Sequence, residues 1–266
     1  MKKVGRILPL IRIGMAFSLA VPGIGWAQVS GAGTDADAVR AAREARREVE
    51  WKVPEIFQAL GVRSGSRIAD IGSGEGFLTL RLASAVGPEG KVFAVDIDDQ
   101  ALGKLRKRLE GTGTKNVEVV RGSEADPLLP AASLDGAVIL RAYHEFSRFR
   151  EMLAGIRTAL RPGGRLVILD VAPAGTDAGW NREQQFSRHV LACSIAESEV
   201  VEAGFRVVLS RLSFARLNDR ETAWLVAADR PVCRRRARGA RLAYRSTATT
   251  SCRPMGGVVV SIHAPV

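Results

Sequence analysis

Cysteine is scarce in this sequence, which has only Cys193, Cys233 and Cys252 among its 266 residues. Their spacing matches no metal-binding or redox motif, and an odd number leaves room for one disulfide at most. The scarcity excludes a disulfide-stapled scaffold, and we predict no metal site. A bridge between Cys233 and Cys252 stays open.

Acidic residues are missing from both ends of the chain. Residues 1–27 hold four basic groups and residues 231–266 hold seven Arg, whereas residues 28–230 carry 28 basic and 28 acidic groups. The net charge of +11 therefore comes from the two ends. Because phosphate recognition needs a basic surplus on the folded surface, we expect no specific nucleic-acid binding.

The sequence also lacks a long hydrophobic run. The stretch Ile13–Ile24 is interrupted by Pro22 and falls short of the roughly 20 residues that span a bilayer. A basic start precedes it, and Gly25–Ala27 places small residues before Gln28, which is the layout of a secretory signal peptide. We expect a periplasmic or secreted protein, with a cytoplasmic or N-terminally anchored one as the alternative.

Four segments follow from these patterns. Residues 1–27 are the expected signal peptide, residues 28–60 an N-terminal helical segment, and residues 61–230 one domain with enough apolar residues for a core. Residues 231–266 are rich in Arg and without periodicity, which favours a disordered tail. An electrostatic contact of this tail with anionic lipid or nucleic acid is the alternative.

Short apolar segments alternate with helical ones in the body. The helices in front begin at Thr34 and end at Gly61, and a later one carries apolar residues on one face from Phe146 to Leu160 before Pro162 stops it. This alternation predicts a parallel sheet with helices on both faces, a doubly wound α/β fold. The predicted strands are Arg67–Ile71, Lys91–Asp96, Val117–Arg121, Asp135–Arg141 and Arg165–Val171.

The last part of the domain, from about residue 194, does not continue the alternation of strands and helices. Ser194 and Glu197 form the pattern of a capping box for a helix that ends before Gly204. Two more strands, 205–212 and 221–227, follow without a helical pattern between them. We therefore expect them to pair as an antiparallel hairpin at the edge of the sheet.

A glycine loop follows the first strand, and an acidic residue ends the second. Gly72, Gly74 and Gly76 allow sharp turns and a close approach of a ligand. Asp96 stands where a carboxylate can accept hydrogen bonds from ribose hydroxyls. Together they predict a nucleoside-type ligand. Phe77 occupies the place of the third glycine of a dinucleotide fingerprint, which disfavours a nicotinamide-dependent oxidoreductase.

The run from Asp70 to Gly76, Asp96, and the segment Leu160–Arg165 resemble those of class I S-adenosylmethionine-dependent methyltransferases. The resemblance covers about residues 48–230 and is strongest to bacterial small-molecule enzymes. These carry matches to Trp51, Pro54, Tyr143–Phe146 and His189. The resemblance implies a Rossmann-like, seven-stranded sheet with the last strand inserted antiparallel.

The resemblance also implies the parts that single residues play. The glycines and Ser73 would lie along the amino-acid and ribose parts of S-adenosylmethionine, Asp70 at its amino end, and Asp96 at its ribose. Ile97 would lie against the adenine. Many relatives have Gly-Asp-Ala after the third strand, where this chain has Gly122-Ser123-Glu124, so Ser123 or Glu124 would replace the adenine contact. Arg141 is a further candidate for cofactor contact.

Methyl transfer from a sulfonium needs a general base only if the acceptor must lose a proton. His144 is the candidate base, and the alternative is a buried histidine that fixes its loop. Tyr143 is a second catalytic candidate; it shares that loop with Glu145 and Arg141, and all three would line the acceptor pocket. His189 would act as a lid or a second pocket residue. An Asn-Pro-Pro-Tyr sequence is missing after the fourth strand, which favours a small-molecule acceptor.

A second function class is an exported S-adenosyl ligand-binding or scaffold protein without catalysis. It stays open because an exported chain would depend on a cofactor that is made in the cytoplasm. Cofactor turnover separates the two hypotheses. The sequence predicts no particular oligomeric state.

The signal peptide can be tested directly. After expression in a Gram-negative host, the protein from a membrane-free periplasmic extract should begin near Gln28, because signal peptidase cleaves after small residues. Mass spectrometry of the N-terminal peptide reads this out. A periplasmic form that still contains Met1 would contradict the prediction.

Overall fold

The computed structural model describes residues 35–173, 180–219 and 221–232. The predictions for residues 1–27, and for the tail with Cys233 and Cys252, lie outside these ranges. Within them, no helix has both the length and the apolarity needed to cross a membrane. The chain divides after Arg40 into two units. The first is described only for residues 35–40, the start of helix α1, and the fold below is that of the second.

Two helices precede the sheet, as the sequence predicted. They are α1 (Asp35–Glu50) and α2 (Val53–Leu60). Pro54 stands in the first turn of α2, where a missing N–H costs nothing. Gly61 ends the helix in a left-handed conformation with φ 73°, and its N–H donates to the last carbonyls of α2.

Seven strands form one sheet with the order β3-β2-β1-β4-β5-β7-β6. The first five strands run parallel, and β7 runs antiparallel to both β5 and β6. This confirms the predicted fold class and the hairpin at the edge. The strands are β1 (Arg67–Ile71), β2 (Lys91–Asp96), β3 (Val117–Arg121), β4 (Leu134–Leu140), β5 (Leu160–Pro173), β6 (Arg206–Arg216) and β7 (Glu221–Asp229).

Helices cover both faces of the sheet. Successive side chains of each strand point to opposite sides, so the apolar strands give the sheet two apolar faces, and both must be shielded from water. Ile68 of β1 packs with Ile56 of α2, whereas its neighbour Ala69 belongs to the cluster of Leu153 and Ile156. The remaining helices are α3 (Phe77–Val86), α4 (Asp99–Thr112), α5 (Phe149–Ala159), α6 (Arg182–Phe186) and α7 (Cys193–Glu202), and a 3-10 turn occupies Tyr143–Glu145.

The structure corrects two features of the predicted alternation. Residues 122–133, all of which are described, form a loop and not a helix between β3 and β4. Pro127 and Pro130 in this loop cannot donate the hydrogen bonds of a helix interior. The helix after β4 is shorter than predicted, since β5 already starts at Leu160. Pro162 lies within this strand, where the pairing of β5 with β4 shifts register.

The predicted capping box at Ser194 is wrong. Helix α7 begins at Cys193 with Ala192 as its N-cap, and no side-chain cap bond is found there among the described residues. Contacts between the sheet and the residue before the N-cap determine where α7 begins. The N–H of Leu191 donates to Val171, and the indole of Trp224 donates to the Leu191 carbonyl at 2.6 Å. The chain is thereby held against β5 and β7 just before the predicted cap.

The packing of α5 leads to a stability prediction. Leu153→Ala should lower the free energy of unfolding by about 2–5 kcal/mol, because this fully buried side chain leaves a cavity between α5 and the sheet. Arg150→Ala on the exposed side of α5 is the matched control and should change it by less than about 0.5 kcal/mol. Urea unfolding followed by tryptophan fluorescence measures both. Equal effects would contradict the placement of Leu153 in the core.

Candidate functional site

The glycine loop lies at the carboxyl end of β1. Gly72, Gly74 and Gly76 all have positive φ angles, of 76°, 52° and 84°. The N–H groups of Gly72 and Ser73 donate to the carbonyl of Val95 at 2.8 and 3.0 Å, which attaches the loop to the end of β2. The predicted turn is therefore held by its own backbone, and only glycine adopts these angles at little cost.

Two features of the loop indicate a ligand surface. A Cβ placed on Gly74 would meet no atom of the described residues within 4 Å, so the backbone there is open to an approaching group. Next to it, the Ser73 hydroxyl is buried and has no hydrogen-bond partner in the described part of the chain. A buried hydroxyl without a partner costs about 1–3 kcal/mol, which a bound ligand can recover.

Asp96 connects the end of β2 to the loop. Its Oδ2 accepts the N–H of Gly74 at 2.7 Å, and its Oδ1 accepts the N–H of Asp98 at 3.0 Å. A carboxylate has about four acceptor positions, so two protein donors leave room for hydroxyl groups of a ligand. Asp98 in turn caps α4 by accepting the N–H groups of Gln100 and Ala101.

Asp70 is a buried carboxyl group beneath the loop. It is only 2% exposed, and its Oδ2 accepts the hydroxyl of Thr79 at 2.6 Å. Burial raises the pKa of Asp70 to about 6 in spite of the Thr79 hydrogen bond, and the charge of Asp96 adds to the rise. A cation bound beside it would lower the pKa again.

The other predicted cofactor residues lie at the rim of this site. Ile97 follows Asp96 directly, and its side chain is 51% exposed. The Ser123 hydroxyl accepts the N–H of Asp126 at 3.0 Å within its own loop, and Glu124 is exposed. Arg141 has a positive φ of 53° and points toward Glu221, with a closest distance of 3.8 Å.

The segment after β4 contacts the glycine loop. A Cβ on Gly72 would lie 2.4 Å from the Cβ of Ala142, so these two residues touch. Ala142 precedes the 3-10 turn that carries Tyr143 and His144. This contact brings the predicted catalytic segment next to the predicted cofactor loop.

His144 is paired with a buried aspartate that sequence reasoning missed. The Nδ1 of His144 lies 2.9 and 3.0 Å from the two carboxylate oxygens of Asp170, and the backbone N–H of His144 also donates to Asp170. Burial lowers the pKa of His144, but the hydrogen bonds and charges of Asp170 and Glu145 outweigh it, so the pKa is raised. A single charged residue in the apolar run Leu166–Val171 was the available signal.

The hydroxyl of Tyr143 does not join this group. It donates to Glu199 at 2.7 Å, and Arg182 forms an ion pair with the same carboxylate at 2.8 Å. Burial and the charge of Glu199 raise the pKa of Tyr143 far above its ordinary value. Arg182 also donates to the carbonyl of Phe146 at 3.0 Å. These contacts hold the 3-10 turn in place from its buried side, so they favour a structural role for Tyr143 over a catalytic one.

His189 is brought close to His144 through Glu145. The Oε1 of Glu145 lies 3.1 Å from the Nε2 of His144 and 3.1 Å from the Nδ1 of His189. His189 itself has a positive φ of 55°, and its side chain is exposed. The structure thus assembles three of the predicted acceptor-side residues at the carboxyl edge of the sheet.

Comparisons with known proteins agree with this geometry. Residues 68–164 match the family model of a methyltransferase domain. The ubiquinone/menaquinone biosynthesis C-methyltransferase UbiE of Ectopseudomonas mendocina is 35% identical over 116 residues, 43% of this chain and 45% of that protein. The demethylmenaquinone methyltransferase of Geobacillus stearothermophilus is 27% identical over 127 residues, 48% of this chain and 54% of that protein.

A solved structure is similar over most of its length. The crystal structure of an S-adenosylmethionine-dependent methyltransferase from Aquifex aeolicus covers 74% of this chain and 99% of its own, with a TM-score of 0.60 and 23% identity. This likeness shows the fold. The chain matches only about half the length of the two quinone methyltransferases.

The raised pKa of Asp70 predicts a pH dependence of stability. Below its ordinary pKa of 3.8 the group is protonated in both states, whereas above about 6 it must be ionised and buried in the folded state. Folding stability should therefore fall by up to about 3 kcal/mol as the pH rises through this window. Asp70→Asn should abolish this component.

Urea unfolding of both proteins from pH 4 to pH 7 measures the effect without added ligand. The variant should gain stability relative to the wild type as the pH rises, since the other titrating groups are shared. A constant difference across the window would contradict the burial of an isolated Asp70 carboxyl.

Proposed function

We propose that this chain, which carries a class I S-adenosylmethionine-dependent methyltransferase domain, transfers a methyl group by in-line displacement to a small-molecule acceptor. The observation that carries the proposal is the open backbone at Gly74 beside the buried hydroxyl of Ser73, which has no hydrogen-bond partner among the described residues. Both lie in the loop that contacts the segment of His144.

The residues around the loop fit the cofactor that the domain implies. The buried Asp70 suits an ammonium group, the free acceptor positions of Asp96 suit ribose hydroxyls, and the exposed Ile97 suits an aromatic ring. Ser73 would gain the hydrogen bond that it lacks within the described chain. The adenine contact expected of Ser123 has less support, because its hydroxyl already serves its own loop.

The bound cofactor supplies an activated methyl group on a sulfonium. The chain's part is to hold the acceptor in line and to exclude water. If the acceptor has a proton to lose, the Nε2 of His144 is the atom that would receive it, while Asp170 keeps Nδ1–H in place. This part of His144 stays a prediction.

Quinone relatives suggest the first acceptors to test. One named relative is a C-methyltransferase of ubiquinone/menaquinone biosynthesis and the other a demethylmenaquinone methyltransferase. A demethylated quinol is therefore the first acceptor class, followed by other small aromatic and lipid-like molecules. The exported location expected from residues 1–27 is part of the proposal, and it requires cofactor outside the cytoplasm.

Glycine variants test the cofactor surface. Gly74→Ala should weaken the binding of S-adenosylhomocysteine to the full chain at least tenfold, because the new methyl group occupies the open backbone face. Gly113→Ala is the matched control, since Gly113 also has a positive φ, 66°, and open surroundings but lies at the end of α4. It should leave the affinity unchanged.

Both substitutions should cost about 1–2 kcal/mol of folding stability, so a difference in binding reports on the ligand surface alone. Isothermal titration calorimetry measures the affinities. Equal affinities of the two variants would contradict the cofactor site. Binding without formation of S-adenosylhomocysteine from S-adenosylmethionine, across the acceptor series, would instead favour the scaffold without catalysis.

A further inference from the structure

Three potential metal ligands meet at the acceptor side of the site. They are the Nε2 of His144, the Oε1 of Glu145 and the Nδ1 of His189, and all three atoms lie within 4.8 Å of one another. The carboxylate oxygen stands between the two ring nitrogens, 3.1 Å from each. These residues come from the turn after β4 and from the segment between α6 and α7.

The spacing suits a common metal ion. Zinc binds histidine nitrogens and carboxylate oxygens at about 2.0–2.2 Å, which places the ligand atoms of a tetrahedral site about 3.3–3.6 Å apart. The two separations at Glu145, 3.1 Å each, are only slightly shorter. Three protein ligands leave at least one coordination position for water or for an oxygen of a substrate.

The buried partner of His144 strengthens the assignment. Asp170 is fully buried and accepts Nδ1–H, so the Nε2 of a neutral imidazole presents its lone pair toward Glu145. A lone pair that faces a carboxylate oxygen at 3.1 Å is unfavourable unless a cation or a proton lies there. A carboxylate behind a histidine is also the usual outer partner of a metal-bound imidazole, where it orients the ring.

We propose that His144, Glu145 and His189 bind a divalent transition-metal ion of the zinc type, with Asp170 as the positioning residue behind His144. Two imidazoles and one carboxylate favour such ions over calcium or magnesium, which prefer oxygen ligands. The proposal goes beyond methyl transfer and departs from the sequence-based expectation of no metal site. With the ion bound, the Nε2 of His144 is a ligand and not a base.

Zinc titration of the full chain tests the site. All proteins carry Cys233→Ser and Cys252→Ser, so that tail thiols cannot bind the metal. His189→Ala and Glu145→Gln alter exposed side chains that the core does not need. His263→Ala is the matched control, because His263 is the only other histidine of the chain and lies outside the described residues.

The expected result is one zinc ion per chain, bound at least tenfold more weakly by His189→Ala and by Glu145→Gln and unchanged by His263→Ala. If His189→Ala binds zinc like the control, or if the unaltered site binds no zinc below millimolar concentration, the proposal is overturned and a second proton on His144 accounts for the contact. If His189→Ala unfolds in urea at the same concentration as the unaltered protein without metal, its weaker zinc binding is not the result of a folding defect.

The readouts also separate this proposal from the methyltransferase function. A protein that binds zinc but not S-adenosylhomocysteine contradicts only the cofactor site, and the reverse result contradicts only the metal site.

Discussion

The contact between Gly72 and Ala142 is the constraint on which the site depends. A side chain on Gly72 would collide with Ala142, so the loop after β1 and the segment after β4 approach each other only because a hydrogen atom stands where a Cβ would be. The two strands are neighbours in the centre of the sheet. Their carboxyl ends therefore place the glycine loop and the histidine segment side by side, at the edge where ligands bind in doubly wound folds.

Three buried acids lie in or beside the glycine loop and the turn after β4, and each has a different environment. Asp170 accepts backbone and imidazole N–H groups, Glu199 faces a phenol and Arg182, and Asp70 accepts the hydroxyl of Thr79 near the like charge of Asp96. Because uncompensated burial is costly, the first two serve to hold the turn after β4. Asp70 is the one that lies near a second carboxylate, and carboxyl groups with a raised pKa are more frequent at functional sites than elsewhere.

The arrangement also explains why Tyr143 and His144 differ although they are adjacent. In the 3-10 turn their side chains point in different directions, so the tyrosine enters the core toward α7 and the histidine faces Asp170 of β5. The phenol is thereby removed from solvent. The imidazole keeps one nitrogen toward Glu145 at the edge of the sheet, where a reaction or a metal ion can use it.

Much of the fold was determined by local sequence. The first three strands match the predicted bounds because β-branched runs between glycines and helical segments leave few alternatives, and the glycine loop with Asp96 was readable from spacing alone. Long-range packing decided the rest. The start of α7 depends on Trp224, and Asp170 lies far from His144 in the sequence.

The meeting of His189 with Glu145 likewise had no local signal, because the two residues lie 44 positions apart and come together only when the sheet is formed. Periodicity and turn chemistry act over a few residues, so the sequence by itself determined the first three strands and the glycine loop. The partner of each buried charged group depends on which strands and loops become neighbours. Only the tertiary structure decided this.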